Sequence, residues 1–156
     1  MRAWRTILTG GLVAGALDIS AACAIWWLRG VRPVRILQSV ASGLLGRASF
    51  SGGARTAALG LLLHFFIATV AAAVFYAASR KWKPLIDRPI LFGALYGVGV
   101  YAFMNHVVLP LSAVTKRPFN PGMAALMIGV HIVCVGIPIA LVVRRLGAVA
   151  PGAVEE

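Results

Sequence analysis

TILTGGLVAGALDISAACAIWWL, residues 6–28, decides the fold. Apolar and small residues fill the stretch, and its one charge, Asp18, lies near the middle. About 22 helical steps of ~1.5 Å cover roughly 33 Å, the thickness of a bilayer's hydrocarbon core. Trp26 and Trp27 close it, as amphipathic rings do at headgroup level. The stretch reads as a membrane span. It also has the outline of a cleaved leader, with Arg2 and Arg5 ahead of an apolar run and Ser20-Ala21-Ala22-Cys23 near the end. The run is too long for a leader's core of roughly 7–15 residues, and Asp18 interrupts it, so a span is expected.

Three more apolar stretches follow, at about residues 56–78, 89–111 and 121–143. Each contains one histidine: His64, His106 and His131. Arg80, Lys81 and Lys83 end the second stretch, and Pro84 stops it. Pro89 opens the third, at a first-turn position where its missing donor does no harm. Pro110 lies near its end. Asn120-Pro121 opens the fourth, Arg144-Arg145 ends it, and Pro138 is expected to kink it.

Composition agrees with spans. Apolar residues make up 60% of the 156 positions and charged residues 12%. Mean hydropathy is +0.90. A soluble domain averages roughly half apolar and a quarter charged. The net charge of +11 comes from basic residues gathered where apolar stretches end. That is the headgroup pattern, not a stripe for nucleic acid, so nucleic-acid binding is not expected. Cys23 and Cys134 fall inside spans without CxxC spacing and read as small apolar groups.

The fold class expected is all-α: an integral membrane four-helix bundle forming a single domain. A short amphipathic helix, about 34–45, is expected at the interface between spans one and two. Val34, Leu37, Val40, Ala41, Leu44 and Leu45 recur at helical spacing there, with Arg35, Gln38, Ser39 and Ser42 opposite. It covers the rim of the bundle or docks anionic lipid headgroups or a partner subunit. Ser49 to Gly53 reads as a turn, and residues 147–156 as a disordered tail.

Four spans place both termini on one side. That side holds eight Lys or Arg, against seven in the first and third loops. The charge rule barely chooses, and the basic start favours cytoplasmic termini.

A carboxylate facing lipid at the depth of Asp18 costs several kcal/mol, so protein or water is expected around it. Gly11, Ala14, Gly15, Ala21 and Ala22 share its side of the helix, as close helix packing requires. Gly60, His64, Ala68 and Ala72 line up in the second span. Gly93, Gly97, Tyr101 and Asn105 do so in the third, and Met127, His131, Cys134 and Pro138 in the fourth. By depth, Asp18 and His131 lie near the midplane. His64 lies about 5 Å and His106 about 9 Å toward the first and third loops. Asp18, His64, Asn105, His106 and His131 are therefore expected to form one buried polar cluster.

Such a cluster has three readings. It supports packing or a partner complex, whether a homo-oligomer or a larger membrane assembly. It carries protons or ions, for which Asp and His are the usual material. Or His64 and His131 ligate haem or a metal, although no cofactor is required by the spacing. No nucleophile–base motif, phosphate loop or HExxH helix occurs, so an enzyme is not expected.

Three stretches carry a family likeness. His64-Phe65-Phe66-Ile67 opens an apolar run ending in Phe75-Tyr76. Gly93-Ala94-Leu95 leads to His106-Val107-Val108-Leu109-Pro110-Leu111. Gly129-Val130-His131 begins a helix ending in Arg144-Arg145. From about residue 60 to 145 the chain resembles the YagU-like group of small bacterial inner-membrane proteins. The resemblance implies that His64, His106 and His131 occupy that group's histidine positions, in an integral inner-membrane protein. Asp18 has no counterpart there, and the first loop is shorter.

Overall fold

The computed structural model describes residues 2–115 and 119–147. Six helices form: α1 (Arg2–Trp27), α2 (Pro33–Leu45), α3 (Gly53–Lys81), α4 (Pro84–Asp87), α5 (Pro89–Leu111) and α6 (Pro121–Gly147). No strand occurs among the described residues. α1, α3, α5 and α6 are long and apolar enough to cross a membrane. The molecule is an all-α four-helix bundle of the multi-pass membrane class.

The spans outrun their sequence limits. α1 begins four residues before Thr6, because nothing in 2–5 breaks a helix. α3 extends three residues beyond 56–78 at each end, and Arg80 and Lys81 complement its C-terminal dipole. α6 continues to Gly147, the first residue of the expected tail; residues 148–156 of that tail lie outside the described residues.

Punctuation between helices follows local chemistry. Gly30, at φ +79°, ends α1. Its N–H bonds the Trp27 carbonyl at 2.8 Å, and the Val31 N–H bonds Trp26 at 2.9 Å. This paired closure needs a left-handed residue, which glycine adopts without strain. The expected turn at Ser49–Gly53 is mostly a 3-10 helix, Gly46–Ser51. Ser49 and Ser51 hydroxyls donate back to the Gly46 and Ala48 carbonyls at 3.0 and 2.9 Å and hold the tight winding. The Asn120 side chain accepts from the Met123 N–H at 3.0 Å and caps α6.

Two wide π segments interrupt the spans: Met104–Val108 in α5 and His131–Gly136 in α6. Each ends within two residues of a proline, Pro110 or Pro138. Proline lacks an N–H, and its ring crowds the carbonyl four residues back. Widening the preceding turn relieves both problems.

α1 packs between α3 and α6, α5 packs on α6, and α2 lies on α3. A Cβ on Gly11 would lie 2.6 Å from the Thr69 Cα, so only glycine allows that α1–α3 approach. The core sits toward the α3–α4–α5 turn and both chain ends. Phe75, Ile139 and Val143 are fully buried there, with Ala72, Leu85 and Ala140 around them. The Phe75 and Tyr96 rings meet edge-on at 5.0 Å, and the Tyr96 hydroxyl donates to the Ala71 carbonyl at 2.7 Å.

The other end is looser. α1 packs on α6 from His131 to Gly147 but makes little contact with Pro121–Val130. Inward residues there, including Ile25, Tyr101 and Met127, stay half-exposed. Packing among the four spans is therefore looser toward the first and third loops.

α2 corrects an expectation. Its supposed polar side turns partly inward: Gln38 and Ser42 are buried, while Val34, Leu44 and Leu45 face outward. Gln38 Nε2 donates to the Gly53 carbonyl at 3.1 Å and lies 3.4 Å from the Thr56 hydroxyl oxygen. Thr56 in turn donates to the Ser49 carbonyl at 2.6 Å. Internal hydrogen bonds satisfy the inward amide, leaving the outward leucines for the bilayer.

Candidate functional site

Asp18 and His64 meet across the α1–α3 seam. Asp18 Oδ2 lies 3.9 Å from His64 Nε2. The same nitrogen lies 2.9 Å from the Gly15 carbonyl oxygen. A carbonyl only accepts, so Nε2 carries a hydrogen and donates it to Gly15. The ring is braced by Phe65, edge-on at 5.7 Å, and Phe65 itself packs against Gly15. The small residue that precedes Asp18 by one turn thus admits the aromatic pair and supplies the acceptor.

Neither side chain is buried. Asp18 keeps 17% of its side-chain surface and His64 keeps 13%. Among the described residues, Asp18 has no other polar partner. Its neighbours on the same side of α1 are half-exposed from Asp18 to Cys23. The carboxylate therefore stays partly exposed, outside the buried core.

A second polar group lies on the α5–α6 seam. His131 Nδ1 donates to the Met127 carbonyl of its own helix at 2.9 Å. Its ring meets Tyr101 edge-on at 5.5 Å. Asn105 Nδ2 donates to the Tyr101 carbonyl at 2.9 Å. His106 is exposed on the outside of α5.

The single buried cluster expected from the sequence does not form. Asp18 and His64 are brought together, Asn105 and His131 belong to a separate group, and His106 turns away. None of the five is buried. The physical reason is local winding. Asn105 and His106 point about 100° apart on their helix, and the π segments shift the register that uniform 3.6-residue spacing assumes. Among the described residues no three His, Cys, Asp or Glu side chains converge on a metal-sized point. His64 and His131 each have one ring nitrogen committed to a backbone carbonyl.

A concave site elsewhere was not expected. Trp26, Arg35, Ser39, Arg47 and Phe50 line a pocket of about 620 Å³ between the end of α1, α2 and the 3-10 turn. The sequence signal was slight: Arg29, Arg32, Arg35 and Arg47 in the first loop, with Phe50 as that loop's aromatic residue.

No family model, curated protein or solved structure matches the chain.

Proposed function

We propose that this is a non-enzymatic multi-pass protein of the bacterial inner membrane, with both termini cytoplasmic, that works as a subunit of a membrane complex. The single observation behind this reading is the half-open Asp18–His64 pair. A carboxylate within a span is held at low cost only by polar groups or water. His64 supplies one neighbour, and Asp18 keeps 17% of its side-chain surface exposed. A helix from a second copy or another subunit, bearing a hydrogen-bond donor, would complete it. The inner-membrane assignment rests on the resemblance to the YagU-like group, and the non-enzymatic reading on the lack of a nucleophile–base pair in the sequence.

The test is native mass spectrometry of the protein released gently from its own membranes. Wild type should retain a second copy or subunit, and Asp18→Leu should lose it. A wild-type chain that is a bare monomer would overturn the reading.

Proton or ion movement is the second reading. It is favoured by the Asp18–His64 pair staying partly exposed, outside the buried core. On that reading Asp18→Asn abolishes proton flux in liposomes while the helices stay folded. Equal flux in wild type and variant removes it.

A further inference from the structure

The pocket between α1 and α2 holds charge that no described residue neutralises. Arg35 projects into it, its guanidinium carbon 5.2 Å from the centre of the Phe50 ring and Nη1 3.5 Å from the Phe50 carbonyl. Arg47 lines the same pocket and has no hydrogen-bond or ion-pair partner among the described residues. The described acidic residues are Asp18, inside a span, and Asp87, at the far end of the bundle. No carboxylate can reach the pocket from either place. Arg29, Arg32 and Arg55 add to the same end of the molecule.

We infer that this pocket binds the phosphate group of an anionic phospholipid headgroup, held between Arg35 and Arg47. Guanidinium forks match phosphate oxygens geometrically, and paired arginines bind them better than point charges do. The Phe50 contacts hold Arg35 in place before a ligand arrives.

Lipid is favoured over free phosphate by position. The pocket opens where α1 leaves the apolar zone, beside Trp26, the expected headgroup level. Val31, Ile36 and Phe50 supply apolar walls for the first carbons below a headgroup. α2 presents Val34, Leu44 and Leu45 outward, which seats it in the bilayer surface.

The test titrates phosphatidylglycerol or phosphatidylcholine into the full chain in a neutral detergent, with bound lipid read by native mass spectrometry. Phosphatidylglycerol should be preferred, and Arg35→Gln with Arg47→Gln should weaken it roughly tenfold or more. Arg144→Gln with Arg145→Gln makes the same charge change at the other end and should leave it nearly intact. Equal losses in the two double variants would show general charge attraction and overturn the site. Displacement of the lipid by millimolar inorganic phosphate at matched ionic strength would assign the pocket to free phosphate and overturn the lipid assignment. Arg47→Gln alone guards against misfolding, because exposed Arg47 makes no hydrogen bond, ion pair or ring contact among the described residues, and it should still weaken phosphatidylglycerol severalfold. No change in that variant would also refute the site.

Discussion

His64 reaches two acceptors with one nitrogen: Nε2 lies 2.9 Å from the Gly15 carbonyl and 3.9 Å from Asp18 Oδ2. The shorter contact takes the hydrogen, so the carboxylate is a neighbour in the field of the ring more than its hydrogen-bond partner. The arrangement fixes α3 to the backbone of α1 while leaving Asp18 available.

Truncation should hurt the inward side of α3 more than its outward side. Phe75 is 1% exposed and Phe66 is 65% exposed. Phe75→Ala should destabilise the fold by about 3–5 kcal/mol. Phe66→Ala, on the outward side, should cost under about 1 kcal/mol. Reversible unfolding in mixed micelles measures both, and similar losses would mean the core is misplaced.

Gly60 is where α2 lies down on α3. A Cβ there would collide with the Leu37 carbonyl, which is backbone and cannot rotate away. Gly60→Val should therefore lift α2 and cost about 1–3 kcal/mol. Gly99, with open space where a Cβ would go, is the control. Protease or thiol-reagent access to the 33–51 segment reports the lifting, and unchanged access in Gly60→Val would contradict this packing.

Tyr96→Phe removes the 2.7 Å hydrogen bond to the Ala71 carbonyl and little else. The Phe75–Tyr96 ring contact survives the change. A loss of about 0.5–1.5 kcal/mol is expected, because the carbonyl also serves its own helix. No loss would show that the hydroxyl does not tie α5 to α3.

The spans were legible because burial in lipid demands long apolar runs, and the runs from Thr6 and Pro89 declare themselves by length alone. The α2 helix was legible as a helix, yet its orientation was not. Gln38 looks solvent-facing until Gly53 and Thr56 are placed beside it. The polar cluster was the larger miss. Depth arithmetic brought His106 and His131 to Asp18, but side-chain direction depends on winding, and π segments contain both histidines. Prolines at 110 and 138 were the visible signal for those segments; they were read only as a late, harmless donor loss and a kink. Asp18 and His64 do meet, and small residues flank both on the sides that meet, as close packing requires. The arginine pocket needed the backbone fold of the first loop, which brings Arg35 and Arg47 to one cavity from separate turns.

The most direct test of the central claim is a double-mutant cycle on Asp18→Asn and His64→Gln, read by reversible unfolding in mixed micelles. A pair that meets across the α1–α3 seam should show a coupling of about 0.6 kcal/mol, and at most about 1.7 kcal/mol. Strictly additive effects would mean that Asp18 and His64 do not interact, and would contradict the account.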